Sequence, residues 1–164
     1  KFTVTIFLKL PDTIYQQEKI NRTENGYNTL YESSYNIYSG KNILLVEDNK
    51  RNAEVASELI GITGVNVELA ENGRVAVERC MAHEPGYYGL IFMDIQLPVM
   101  NGYDAARCIR MLDREDAKSI PIIAMTANAF TEDVEAAYSA GMNEHIAKPL
   151  EFGRLTEVLK KWLG

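Results

Sequence analysis

Between residues 42 and 163, short apolar runs alternate with segments of helical period, and this alternation restricts the fold more than any other feature. The strand-like runs fall at 42–46, 65–69, 89–93, 120–125 and 144–147. Helices are predicted after them at 49–62, 72–81, 103–112, 131–140 and 151–163. A strand followed by a helix and then another strand forms a crossover, and crossovers in one sheet are right-handed. The expected architecture is therefore α/β: a doubly wound, five-stranded parallel sheet with helices on both faces. The run Ile43-Leu44-Leu45-Val46 contains no polar residue, as a strand covered on both faces requires. In the first helix, Val55, Leu59 and Ile62 form the expected buried stripe, with Gly64 beyond its end. In the second, Val75, Val77 and Met81 play that part. Gly141 is expected to end the fourth helix.

Ligands of such sheets sit at the carboxyl ends of the strands. Glu47 and Asp48 follow the first run, Asp94 the third, Thr126 the fourth and Lys148 the fifth. Taken singly, each has an ordinary reading: Asp48 as the cap of the next helix, Glu47 as a surface acid, Thr126 as a loop residue, Lys148 as a solvated lysine. Together, the topology brings three carboxylates, a hydroxyl and an ammonium to one sheet edge. Clustered carboxylates raise one another's pKa, and a hard divalent cation with oxygen ligands relieves the repulsion. Mg²⁺, or Mn²⁺ in its place, suits a site that also receives a phosphate oxygen. One carboxylate can then serve as nucleophile and form an aspartyl phosphate. Lys148 can pair with phosphoryl oxygens as a point charge, and Thr126 can donate to the same group.

The remainder of the chain bounds the setting. The net charge of −6 makes nucleic acid and anionic membranes poor partners, and no apolar run reaches spanning length. No signal peptide is evident, and a cytoplasmic location is the expectation. Cys80 and Cys108 fit no metal spacing and read as buried, inert thiols. Residues 1–10 alternate in a strand pattern closed by Pro11-Asp12. The chain starts without Met inside this pattern, so it reads as a fragment. Residues 11–40 have the composition of a linker, and 41–164 form the regular domain. Tyr27, Leu30, Tyr31, Tyr35 and Tyr38 fall near helical spacing, which leaves open a docked turn as well as an extended linker.

Four stretches carry a family resemblance: Ile43-Leu44-Leu45-Val46-Glu47-Asp48-Asn49, Met93-Asp94-Ile95-Gln96-Leu97-Pro98-Val99-Met100-Asn101-Gly102, Pro121-Ile122-Ile123-Ala124-Met125-Thr126-Ala127 and Gly141-Met142-Asn143-Glu144-His145-Ile146-Ala147-Lys148-Pro149. They resemble the receiver domains of two-component response regulators and hybrid histidine kinases. The resemblance implies a flavodoxin-like fold with strand order 2-1-3-4-5 and a cis Lys148-Pro149 bond. It implies Asp94 as phosphoacceptor, and Glu47, Asp48, Asp94 and the backbone carbonyl of Gln96 as metal ligands. Thr126 and Lys148 would contact the phosphoryl group, with Gln96 and Asn128 tuning its lifetime. Its partners would be a kinase's phosphohistidine domain and a histidine phosphotransfer protein.

Two positions depart from the family pattern. His145 stands where an aromatic switch residue is usual, which puts an inward-swinging ring in question beside Thr126. Asn101 replaces a frequent Asp, with no expected loss of chemistry. The wording Glu47-Asp48-Asn49-Lys50-Arg51-Asn52 is closest to hybrid kinases, and residues 2–11 resemble the last strand of a kinase ATP-binding domain. The ATP boxes themselves are not in this sequence, so the fragment is expected to catalyse only its own aspartyl phosphorylation and dephosphorylation. Two other classes compete: an interaction module that no longer takes phosphate, and a phosphohydrolase. The second would want an acid where Gln96 stands. A flavin-binding protein of this topology would need a glycine-rich phosphate loop, and Glu47-Asp48 would repel that phosphate. Weak self-association through the unpaired first strand is left open.

Overall fold

The computed structural model describes residues 37–127 and 131–164. The expectations placed on 1–36, including the kinase-like strand and most of the tyrosine pattern, lie outside the described residues, as does Asn128. Among the described residues, five strands and five helices alternate. The strands are β1 (Asn42–Val46), β2 (Asn66–Ala70), β3 (Tyr88–Asp94), β4 (Ile122–Thr126) and β5 (Glu144–Ala147). The helices are α1 (Lys50–Gly61), α2 (Gly73–Ala82), α3 (Gly102–Met111), α4 (Thr131–Ser139) and α5 (Phe152–Leu163). All strand pairs are parallel in the order β2-β1-β3-β4-β5, as expected. The Lys148–Pro149 peptide is cis.

The register explains why distant residues meet. Val46 pairs with Ala70 and Met93, Asp94 with Met125, and Thr126 with Ala147. The carboxyl ends are therefore level, and the residues at or just after them share one edge. Side chains alternate across the sheet. Leu44, Met93 and Ala124 pack under α2, α3 and α4, while Leu45, Phe92, Met125 and Ile146 pack under α1 and α5.

Two helical faces differ from the sequence expectation. In α1 the buried residues are Ala53, Ala56 and Ile60; Val55 and Ile62 are exposed and Leu59 is only half-buried. In α2 the buried residues are Gly73, Ala76 and Cys80; Val75 and Val77 are half-buried and Met81 is exposed. The cause is the same in both. A helix lying close on a sheet presents small side chains to it, and the larger aliphatics move to the flanks. Burial pushes the Cys80 thiol up to about 11, which keeps it an unreactive thiol, whereas Cys108 is half-buried rather than buried. At the end of the linker-like segment, the structure takes the docked-turn alternative. Residues 37–40 form a turn, and Tyr38 is buried in the α1/α5 cluster.

Helix α5 is fastened to β5 through Glu144, whose carboxylate accepts from Arg154 Nη2 (2.6 Å), Lys161 Nζ (2.8 Å) and Trp162 Nε1 (2.8 Å). Burial alone would push its pKa up, but the Lys161 and Trp162 hydrogen bonds and the flanking cations hold it below the ordinary range. A depressed carboxyl stabilises the fold above its unfolded pKa, and that stability is lost as pH falls through the folded value. Glu144→Gln is therefore expected to cost roughly 1–3 kcal/mol near neutrality. The gap between variant and wild-type melting temperatures should close as pH drops below the carboxylate range, which a thermal melt series across pH measures.

Candidate functional site

At the carboxyl edge, β1 ends where the polar Glu47-Asp48-Asn49 begins. Asn49 is the N-cap of α1: its Oδ1 accepts from the N–H groups of Arg51 (3.0 Å) and Asn52 (3.2 Å). Asp48 is thus not the cap, and it lies exposed on the rim. Glu47 is buried, with Oε1 accepting from Asn52 Nδ2 (3.1 Å) and from the Asn49 N–H (3.4 Å). Asn52 is a positioning residue that sequence reasoning missed. Its signal was available, since it lies one helical turn beyond the cap on the helix that leaves the site.

Asp94, only 5% exposed, lies at the base of a cleft of about 250 Å³ lined by Glu47, Asp48, Gln96, Thr126 and Lys148 among others. Lys148 Nζ bridges Glu47 Oε2 (2.7 Å) and Asp94 Oδ2 (2.6 Å). Asp94 Oδ1 accepts from the Gln96 N–H at 3.2 Å. Burial raises the Asp94 carboxyl above its ordinary range; Lys148 and the Gln96 N–H oppose that shift, and the charge of Glu47 adds to it. Burial would lower Lys148, but its hydrogen bonds to Asp94 and Glu47 outweigh that effect and raise it, so it stays an ammonium. Thr126 is buried in the same cleft, and its carbonyl accepts from the Lys148 N–H at 2.8 Å. All five strand-end residues of the sequence reading therefore meet. Asp133, in the first turn of α4, lines the cleft as well and was not foreseen.

Glu47, Asp48 and Asp94 each offer a carboxylate oxygen, all within 4.8 Å of one another. One ammonium faces three carboxylates, so negative charge remains for a divalent cation to neutralise. An all-oxygen donor set of this kind fits Mg²⁺ or Mn²⁺.

The segment after β3 returns the chain to the cleft wall. Asn101 caps α3 by accepting from the Asp104 N–H at 2.9 Å, a task that Asn performs as well as Asp. Val99 is 73% exposed at φ 67°, an uncommon backbone conformation for a β-branched residue. His145 pairs in register with Ala124 and so faces the α4 side of the sheet; its buried Nδ1 has no hydrogen-bond partner among the described residues.

This geometry coincides with a sequence match. Residues 43–160 match the model of the response regulator receiver domain. The chain belongs to the receiver family. Similar receivers occur in the hybrid signal transduction histidine kinase M of Dictyostelium discoideum (41% identity, 73% of this chain, 5% of that protein). The polar-differentiation response regulator DivK of Brucella anthropi is 34% identical over 76% of this chain and 97% of its own length. The chain thus spans only a small part of the curated kinases it matches. Among solved structures, the receiver domain of a Pseudomonas aeruginosa sensor histidine kinase, with magnesium coordinated in its active-site cleft, is 40% identical at a TM-score of 0.69, covering 77% of this chain and 99% of that one. The receiver domain of yeast Ssk1, solved in complex with the histidine phosphotransfer protein Ypd1, is 30% identical at a TM-score of 0.65, covering 74% and 88%. Among the described residues, no helix of this receiver is long and apolar enough to cross a membrane.

Proposed function

We propose that this receiver is the phosphorelay module of a hybrid histidine kinase: Asp94 takes a phosphoryl group from a phosphohistidine and passes it to a histidine phosphotransfer protein. The observation that carries this reading is the buried Asp94 carboxylate, bridged to Glu47 by Lys148 at the base of a cleft that is open to a donor. A carboxylate oxygen of Asp94 attacks phosphorus, the phosphorus–nitrogen bond breaks, and its electron pair stays on the imidazole nitrogen. Lys148 pairs with the phosphoryl oxygens, and the Thr126 hydroxyl donates to them. Glu47, Asp48, Asp94 and the Gln96 carbonyl would hold Mg²⁺, whose charge would let an anionic donor approach the carboxylates. Thr126 and His145, on neighbouring strands, form the route by which phosphorylation reaches the α4–β5–α5 face. The outward stripe of α1, which begins near the cleft and carries Val55 at 53% exposed, suits docking of a phosphotransfer helix.

The test is incubation with Mg²⁺ and acetyl phosphate followed by intact mass measurement. A single base-labile phosphoryl group is expected, with none in excess EDTA and uptake restored by Mn²⁺. Rapid turnover of free donor at enzyme-like rates, or no uptake with metal present, overturns the reading. Added histidine phosphotransfer protein should then remove the group from the receiver and acquire it.

A further inference from the structure

The turn leading into β1 is built as a fastening. Tyr38, 8% exposed, belongs to the apolar cluster that includes Ile60 of α1 and Val158, Leu159 and Leu163 of α5. Its N–H donates to the Thr63 carbonyl (3.3 Å), and its own carbonyl accepts from the Lys41 N–H (3.1 Å). Gly40, at φ +82°, supplies the left-handed residue that the turn needs. Lys41 then donates from Nζ to the Leu163 carbonyl at 2.5 Å. That carbonyl lies in the last turn of α5, where helical carbonyls have no intrahelical partner and the helix dipole favours a cation. Two side chains three residues apart thus hold one end of α5, by apolar burial and by a charged cap. Glu144 holds the same helix from β5, the strand that carries His145 and leads to Lys148.

We propose that residues 37–41 are a docked strap, occupying the space between α1 and α5 at the amino-terminal sheet edge, through which the chain upstream of Ile37 and helix α5 bias one another. A tether attached there is not freely jointed: its grip depends on where α5 lies, and α5 in turn depends on the strap. The phosphoryl-linked arm of the test below rests on the receiver function proposed above, while the strap itself does not.

The experiment is amide hydrogen exchange on the full 164-residue chain, comparing wild type with Tyr38→Ala and Lys41→Met. Neither residue touches the cleft, so acetyl phosphate uptake should persist in both. The last turn of α5 should exchange roughly tenfold faster in each variant, while β4 keeps its wild-type protection. In wild type, phosphorylation verified by mass should change exchange at residues 38–41 by about threefold or more. The proposal fails if both variants leave α5 unchanged, or if both loosen β4 and α5 equally. It also fails if a fully phosphorylated chain shows no change at 38–41. A chain that takes no phosphoryl group refutes the Asp94 assignment instead, and the unphosphorylated comparison still decides the strap.

Discussion

Asp94→Asn is expected to abolish phosphoryl uptake from acetyl phosphate, leaving the intact mass of the protein unchanged under conditions that fully modify the wild type. The amide keeps the shape of the side chain but is no longer a nucleophile. No neighbour can replace it: Glu47 is held by Asn52, the Asn49 N–H and Lys148, and Asp48 lies out on the rim. The same variant should fold at least as firmly as wild type. A carboxyl raised above its ordinary range binds its proton more tightly when folded. Its stabilising effect is present below the unfolded pKa and is lost as pH rises through the folded one. At neutral pH the ionised Asp94 is therefore a cost that Asn removes, and Lys148, which loses this partner, keeps Glu47 at 2.7 Å. A melting temperature well below wild type would show that the loss of phosphorylation came from unfolding. Lys148→Met is the graded comparison: the nucleophile remains but the charge facing the phosphoryl oxygens is gone, so uptake should slow by about 10²–10³-fold. Uptake by Asp94→Asn at the wild-type rate would place the acceptor elsewhere and refute the assignment.

The parts of this receiver that could be read from its sequence are those set by backbone periodicity. The apolar runs of β1, β3 and β4 are covered on both faces, so they are continuous, and the polar residue that ends each one lies at the ligand edge. That is why Glu47, Asp48, Asp94, Thr126 and Lys148 could be placed together with no structure. Helical phase was harder, because side-chain size misleads. Val55, Leu59 and Ile62 look like a core stripe, but α1 sits on the sheet through Ala53, Ala56 and Ile60, while Leu59 packs at the flank and Val55 and Ile62 face outward. Tyr38 was obscured for another reason. Its neighbours have a linker's composition, and the near-helical spacing of Tyr27, Leu30, Tyr31, Tyr35 and Tyr38 left a docked turn and an extended linker both open. Asn52 and Asp133 act at the cleft through first helical turns, which a reading confined to strand ends passes over.

The Asn101-Gly102 step after β3 carries the largest expected effect on folding. Gly102 opens α3 directly against the nucleophile strand, with its N–H donating to the Ile95 carbonyl at 3.0 Å. A Cβ at this position would lie 2.2 Å from the Asp94 carbonyl oxygen, 3.0 Å from its carbonyl carbon and 3.0 Å from Ile95 Cα. All three obstacles are backbone, so no rotamer change relieves them; either α3 or the end of β3 must move. Gly102→Ala should therefore cost about 3 kcal/mol or more, a fall in melting temperature on the order of 10 °C. It should also slow phosphorylation in the molecules that remain folded, because the displaced backbone is that of Asp94. Two companion substitutions separate this cause from a general effect of adding a methyl group. Gly153→Ala meets nothing within 4 Å and lies in the first turn of α5, where Ala is the better helix former, so it should raise stability by about 0.5–1 kcal/mol. Gly89→Ala meets the Leu163 Cδ2 methyl at 2.8 Å, a side-chain tip that can yield, and should fall between the two. The order Gly153, Gly89, Gly102 in thermal melts, from gain to severe loss, is the expected result. A Gly102→Ala chain as stable as wild type would mean that α3 can withdraw from Asp94 without cost, contrary to the close packing that holds the nucleophile in place.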